Sequence, residues 1–571
     1  MRKTCAGKAG ARTWITSRER FSDRLVAGDS PLSADPWSRR RTVLDAAGVT
    51  AALALALGVF WVRQWQIAGT AGLSSFPLDD SWIHLHFARN LAEGHGFAYN
   101  PGVPVAGSTA PLWTLVLAGT FALLGTDPFW AKVVGMAAAL ATALLARSLA
   151  WRWTRHRWLA LLAGVVTAVA GPLVWGALSG MEVSLAALLI TAALVSHTGG
   201  GEGTTALLLG LAALARPEAA LLVPLVWMAR PITWRRTVLF AGVTAACLAP
   251  WVLFNLATTG TPLPATAWAK IEGGLIGFLS GTREATATAF LARPWQFEAE
   301  WLRWLWSVNV LLPLLILIGL RSLWLHWGRT LAFPAAVLLL HPIGMALLAP
   351  YRGPGFQEGR YSIHLLPLAI TVAVAGLGGL ARWPRLRMAV AALFLLASVA
   401  AARPAADRYA WAVQNIDALQ VRLGRWVAAH TPPDARLALN DVGAIAYVSR
   451  REVVDVMGLV TPAIIPYRRD GEAGVLRYLE RNCPDYLIIF PAWFPKLSAM
   501  SDRFTPVHRI RLDHNTVAGA DEMVVYETPW TGRHGRAGQC ETDPRRALLG
   551  LGIMASSKRA PIGPVRRGEI P

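Results

Sequence analysis

The chain has 571 residues, 54% of them hydrophobic and only 16% charged, with a mean hydropathy of +0.40. So little charge cannot cover a soluble globule of this size, and apolar runs of roughly 17 to 25 residues, the length that crosses a bilayer, recur up to about residue 400. The net charge of +20 does not call for nucleic acid. The arginines stand in short groups between apolar runs, such as Arg39–Arg41, Arg152/Arg155/Arg157, Arg230/Arg235/Arg236 and Arg382/Arg385/Arg387, where they fix orientation by staying cytoplasmic.

Residues 1–42 are polar and basic without an apolar core, so they read as a disordered cytoplasmic tail and not as a cleavable signal. The segment 43–62 that follows reads as an uncleaved first span, which delivers an outer loop, 66–109. The run 110–125 is apolar but short. Letting it cross would carry Arg152, Arg155 and Arg157 outward, so it is expected to be interfacial or re-entrant. Spans are then predicted at 129–150, 158–177 and 182–197. Two short helices follow over 204–229, broken at Arg216-Pro217-Glu218, and further spans are predicted at 237–256, 305–324, 330–349, 361–381 and 386–402. The fold class is a polytopic α-helical membrane protein of about eleven spans plus interfacial helices. The membrane region covers 43–403 of what is expected to be a bacterial plasma membrane protein with its N-terminus inside.

After Arg403 the composition changes. An amphipathic helix is predicted over 404–430, then short apolar runs at 436–439, 453–456, 486–490 and 523–526, with a helix over 472–482. Alternation of strand and helix predicts a small α/β domain over 404–530, placed outside by parity of the spans. A tail rich in Arg, Gly and Pro, 531–571, is expected to be disordered. Cys5, Cys247, Cys483 and Cys540 show neither metal nor redox spacing; Cys483 and Cys540 could pair if that region lies outside.

This threading collects Asp79, Asp80, Glu182, Arg216, Glu218, Lys270, Glu358 and Arg360 at or near one surface, and charges at membrane depth are costly enough to mark function. Asp79 and Asp80 follow a strongly apolar segment and open a helix predicted over 81–93. Two neighbouring carboxylates in a partly desolvated site repel, so one can be poised as a base while the other orients the acceptor or holds a divalent metal ion. The plainer reading of Asp80 alone is a helix N-cap. The helix sets Trp82, His86, Arg89 and Glu93 along one face, and Ile83, Phe87 and Leu91 along another, which would lie on the bilayer. His84 and His86, two apart, do not converge on one metal from a helix. Arg216, Lys270 and Arg360 are candidates to hold a phosphate, with interfacial anchoring as the plainer alternative. His86, Arg89, Glu182 and Glu218 are candidate substrate contacts. No phosphate loop, dinucleotide fingerprint, serine elbow or zinc signature is present.

The run DDSWIHLHFARNLAEGHGFAYNPGVPVAGSTAPLW, 79–113, resembles the first outer loop of membrane-embedded C-type glycosyltransferases. The resemblance is to the group around the mycobacterial terminal arabinofuranosyltransferase, and more distantly to protein O-mannosyltransferases and lipid A aminoarabinose transferases. SGME (179–182), ARPE (215–218), TGTPLPATAWAK (259–270), GRYSIHLLPL (359–368) and NDVGAIAYVSRREVVDVMGL (440–459) agree with it. Ala106-Gly107-Ser108-Thr109 and Trp82-Ile83-His84 depart from the bulkier, more Tyr-rich pattern, where a sugar or acceptor would be read. The resemblance implies inverting transfer of a sugar from a polyprenyl-phosphate donor to a hydroxyl of an envelope glycan, glycolipid or protein on the outer face. By the same resemblance Asp79 is the base and Asp80 assists it or binds a divalent ion. Two other classes stay open: a transporter or flippase, which should set its charges at midplane with repeat symmetry, and a non-catalytic envelope assembly protein, which leaves the acid pair unexplained.

Overall fold

The computed structural model describes residues 36–69, 74–270, 287–348 and 353–532. The expected N-terminal tail as far as residue 35, the C-terminal tail from 533, and with it Cys540 and its expected pairing, lie outside them. The chain divides into two compact units, Met1–Gly48 and Val49–Pro571. The described part of the first is the opening of the helix Pro36–Ala68.

The second unit is mostly helical up to His430. Among the described residues five helices are long and apolar enough to cross a membrane, including Phe129–Thr154 and Trp234–Thr259, or seven if each of two bent pairs is one span. The expected span 158–177 is such a pair, Arg157–Val169 and Gly171–Leu178, bent by 52°; the pair Ala292–Val308 and Leu312–Trp327 bends by 105°. Pro111–Leu124 has 14 residues, about 21 Å at the helical rise and so short of a roughly 30 Å hydrocarbon layer. The expected break at Arg216 is present: the helix Glu202–Ala215 stops, Arg216 is extended, and a tighter turn, Pro217–Leu221, restarts the chain before the helix Leu222–Met228. Pro217 supplies the interruption, since it disfavours helix at the residue before it. One contiguous apolar core, from Val49 to Val413, packs these helices together, whereas Val238 and Leu253 of Trp234–Thr259 are 61% and 63% exposed. Apolar side chains turned outward along a helix of this length suit a lipid surroundings.

The helix Pro384–Ile416 does not stop at Arg403, where composition changes. It continues through a π-type turn, Asp417–Val421, into Arg422–His430. Beyond it lies a five-stranded sheet: β1 (Arg436–Leu439), β2 (Glu452–Asp455), β3 (Tyr486–Ile489), β4 (Thr505–Arg511) and β5 (Glu522–Glu527). The strand order is β2-β1-β3-β5-β4, with β1 parallel to β2 and β3, and β5 antiparallel to β3 and β4. Alternate side chains face opposite ways, as the strand period requires. Ala438, Leu487, Ile489 and Val524 pack on Val475 and Leu479 of the helix Gly471–Asn482. Leu437, Leu439, Ile488 and Val525 pack instead with Leu423 and Val427, and with Ile83 and Phe87.

That second face carries the helix Asp79–Ala92, whose residues Ser81–Asn90 are all buried. The apolar side expected to rest on the bilayer is therefore covered by protein: Ile83 and Phe87 enter the core of the sheet, while Trp82, Leu85 and Ala88 pack with Trp113 and Leu117.

Candidate active site

Asp79 and Asp80 form the first turn of their helix, where negative charge is favoured by the helix dipole. Neither is its N-cap; that position is Leu78, extended and without a side-chain bond. Asp79 instead caps a different helix. Its Oδ2 accepts from the Gly443 N–H at 2.7 Å and its Oδ1 from the Ala444 N–H at 2.8 Å, at the start of the helix Ala444–Ser449. Glycine at 443 is required by contact, because a Cβ there would collide with the backbone oxygen and carboxyl of Asp79.

A third acid joins the pair. Asp441, which no sequence argument singled out, follows β1 within the NDVG turn and accepts a hydrogen bond from Gln420 Nε2 at 2.9 Å. Burial and then the Asp441 charge push the Asp79 carboxyl well above the ordinary carboxylate range, with Asp80 adding to them, against the pull of the two backbone donors. Burial likewise raises Asp441 to about 6, opposed by Gln420 and reinforced by Asp80. An acid at the end of a strand and the start of a helix, two residues before a glycine, is the signal that could have marked it.

Asp80 is paired with a cation: its Oδ2 lies 2.8 Å from Arg360 Nη2. Arg360 is buried and also donates to the Tyr361 hydroxyl at 3.0 Å. Burial alone would lower its pKa, but Tyr361 and Asp80 outweigh that and hold the guanidinium firmly charged. Its loop is fixed from several sides. Glu358 takes a two-pronged bond from Arg408, at 2.5 and 2.9 Å, and its carbonyl accepts from Trp304 Nε1 at 3.0 Å. Gln357 and Glu358 sit at φ of 47° and 62°, conformations that persist only where surroundings impose them and that cluster at functional sites.

Arg216, Glu182 and Glu218 form a second cluster. Arg216 Nη1 is 2.6 Å from Glu182 Oε1, and its Nε is 3.3 Å from Glu218 Oε2. Both clusters touch Tyr361, whose ring lies 5.2 Å from the Arg216 guanidinium and 4.9 Å from that of Arg360. His84 extends the chain of contacts, with Nε2 3.5 Å from Glu182 Oε2 and Nδ1 3.2 Å from Ser108 Oγ. Ser81 Oγ donates to the Ser179 carbonyl at 2.7 Å, pinning the acid-bearing helix to the SGME turn.

His86 and Arg89 go elsewhere. His86 Nε2 meets the Tyr99 carbonyl at 2.9 Å, and burial followed by the Arg89 charge lowers its pKa to about 3, so it stays neutral. Arg89 donates to the Tyr447 carbonyl at 2.7 Å and lies over that ring at 4.2 Å. Both line a cavity of about 540 Å³ beside Asn100 and Arg450. Lys270 ends the helix Ala265–Lys270, and its side chain lies outside the described residues. Asp80 is also the candidate metal holder. Its carboxylate is engaged by Arg360, and among the described residues no three His, Cys, Asp or Glu are grouped to hold an ion.

Comparison with known proteins adds the fold's relationships. A model for a domain of unknown function (DUF8728) matches residues 412–529. No curated protein matches the sequence. Among solved structures, ArnT from Cupriavidus metallidurans bound to undecaprenyl phosphate is similar, with 13% identity, a TM-score of 0.54, and 85% of this chain and 99% of ArnT covered. The oligosaccharyltransferase AglB from Archaeoglobus fulgidus, in complex with an inhibitory peptide and a dolichol-phosphate, matches at 13% identity and a TM-score of 0.50, covering 77% of this chain and 69% of AglB. The mycobacterial arabinofuranosyltransferase AftD matches at 17% identity and a TM-score of 0.41, covering 83% of this chain and 40% of AftD. The chain has the fold of the C-type membrane glycosyltransferases.

Proposed function

We propose that this protein is an integral membrane glycosyltransferase that moves a sugar from a polyprenyl-phosphate donor to a hydroxyl acceptor on the outer side of the membrane. The observation that carries this reading is the acid cluster itself: Asp79, raised by burial and by Asp441, stands next to Asp80, which is paired with Arg360. In a fold shared with ArnT and AglB, whose structures hold undecaprenyl phosphate and dolichol-phosphate, a base beside a buried cation suits one displacement.

Each carboxylate oxygen offers two lone-pair directions, so Asp79 can keep its backbone donors and still accept a proton. In this reading Asp79 takes the acceptor hydroxyl proton as the oxygen attacks the anomeric carbon. The bond from that carbon to the phosphate oxygen breaks, and the electron pair leaves with the lipid phosphate. A single displacement inverts the anomeric centre. Arg360 is the proposed counter-charge for the departing phosphate, with Arg216 adding charge from behind Tyr361 and Lys270, at the end of its short helix, a further candidate. Asp80 then orients Arg360. Glu182 and Glu218 hold Arg216 in place, while His86 and Arg89 brace the helix that carries the base.

The test is direct. Purified protein is incubated with a panel of polyprenyl-phosphate sugars, and release of the lipid phosphate is followed together with the anomeric configuration of the product. Release with inversion supports the reading. No release from any donor, with transport of a lipid-linked sugar across vesicles instead, would replace it.

A further inference from the structure

A second cavity, of about 270 Å³, lies on the other side of Arg89, walled by the acid-bearing helix, the turn before Phe129–Thr154, and the segments Asp417–Val421 and Ala444–Ser449. Four polar atoms of its lining residues are buried with no hydrogen-bond partner among the described residues: Ser75 Oγ, Trp82 Nε1, Arg89 Nε and Asp417 Oδ1. Ser75, Trp82 and Arg89 are only 2%, 4% and 3% exposed. An unsatisfied buried group costs about 1–3 kcal/mol, and native proteins carry few of them. Four around one cavity point to a polar occupant that supplies the missing bonds.

The wall chemistry narrows that occupant. Ser75, Trp82 and Arg89 offer donors and Asp417 an acceptor, which matches a group carrying several hydroxyls. Trp82 and Tyr447 add two aromatic rings with centroids 5.3 Å apart, an apolar surface for the C–H face of a sugar ring. The guanidinium of Arg89 is held over Tyr447, so its direction is fixed before any ligand arrives. Arg425 and Arg450 complete the lining with side chains 59% and 58% exposed, and Asp417 is the one acid in the wall, 3.8 Å from Arg425. Three cations, set against Asp417 in the wall and against Glu93, which pairs with Arg450 at 3.2 Å, leave an excess of positive charge that favours an anionic substituent on the ring. Asp417 also belongs to the π-type turn Asp417–Val421, a rare geometry found frequently at functional sites.

We infer that this cavity binds a sugar unit bearing a carboxylate or phosphate, with hydroxyls on Ser75, Trp82 and Asp417 and the anionic group toward Arg89, Arg425 and Arg450. Trp82 is one helical turn from Asp79, so the bound unit would neighbour the one whose hydroxyl reacts. The acceptor would then be an acidic glycan or a glycolipid with a charged headgroup. Only that last step rests on the glycosyltransferase reading; binding of a charged sugar stands without it.

Full-length protein, with no lipid-linked donor present, is placed in nanodiscs and titrated calorimetrically with glucuronic acid, glucose 6-phosphate, glucose and inorganic phosphate. At least one charged sugar should bind about tenfold or more tighter than both glucose and inorganic phosphate. Arg425→Gln or Arg450→Gln, both on exposed side chains, should weaken that binding about tenfold with little change in melting temperature. The preferred charged sugar distinguishes a carboxylate from a phosphate ligand. Equal binding of glucose, inorganic phosphate bound as tightly as the sugars, no heat with any of them, or indifference to both rim changes would overturn the proposal. If the wild-type protein releases lipid phosphate while these titrations fail, the cavity assignment falls alone. If charged sugars bind but no donor is turned over, the transferase reading falls and the cavity remains.

Discussion

The carboxylate of Asp79 is hydrogen-bonded to the backbone N–H of Gly443, 364 positions further along the chain. The proposed base is therefore held by the sheet-bearing region and carried by a helix pinned to the apolar bundle, so its position depends on both. Asp79→Asn should lower turnover by about 10²–10⁴-fold, the usual contribution of a positioned base. An amide has one oxygen where the carboxylate has two, so one backbone donor also loses its partner, at a cost of about 1–3 kcal/mol. Single-turnover kinetics with a thermal melt separate the two effects; near-normal turnover would remove Asp79 from the role of base.

Gly443→Ala should disturb the same joint without touching any charge. The added methyl meets the Asp79 backbone and carboxyl, so the variant is expected to melt earlier and to lose activity in parallel. Protection of the Ala444–Ser449 amides from hydrogen exchange should fall with it. Unchanged protection would mean that the contact is dispensable.

Asp441 offers a test through pH. Its negative charge helps to raise Asp79, so Asp441→Asn should lower the Asp79 pKa and move the acid limb of the rate profile to lower pH. A base must be ionised to act, and it would then be ionised sooner as pH rises. Asp441 itself is raised to about 6. An acid raised by folding adds stability below its unfolded pKa, and that contribution is lost as pH rises through about 6. Above that, Asp441→Asn should melt later than wild type, and below about pH 4 the two should converge. An acid limb that does not move would detach Asp441 from the site.

Arg360 and Asp80 should behave as one unit. Arg360→Ala is expected to weaken donor binding far more than acceptor binding, and Asp80→Asn to do so mildly by releasing the guanidinium. The double variant should cost less than the sum of the two, with a coupling of about 0.5–3 kcal/mol. Strict additivity would leave the 2.8 Å pair without a functional part.

Topology can be read with single cysteines. Arg450 is exposed and adjoins the site, so Arg450→Cys should react with a membrane-impermeant maleimide added outside intact cells. Labelling only after the cells are opened would move every site residue to the cytoplasmic side.

Much of this was legible in the sequence, for identifiable reasons. The acid pair, the break at Arg216 and the strands at 436–439 and 486–489 carry strong local signals: adjacent charges after an apolar run, a proline after a charged residue, and short runs of apolar residues bounded by turns. β4, Thr505–Arg511, was missed because its residues alternate weakly and most are exposed at the sheet edge. The burial of both faces of Asp79–Ala92 was missed because a helix next to membrane spans looks interfacial until the sheet covering it is known. Asp441, and the pairing of Asp80 with Arg360, depend on contacts between segments hundreds of residues apart, which periodicity does not register. The continuation of Pro384–Ile416 into Arg422–His430 was obscured by Pro404 and the change in composition at Arg403. The helix carries Pro404 in its interior.

That unbroken rod sets a rotational phase between two parts of the machine. A residue added to it turns everything beyond by about 100° and lengthens it by about 1.5 Å. One extra residue near Ser398 would swing the sheet a quarter-turn away from the acid-bearing helix, whereas seven would nearly restore its angle while lifting it by about 10.5 Å. The residue count of this one helix is therefore a setting of how the sheet meets the acid-bearing helix, in a way that the length of an exposed surface loop is not.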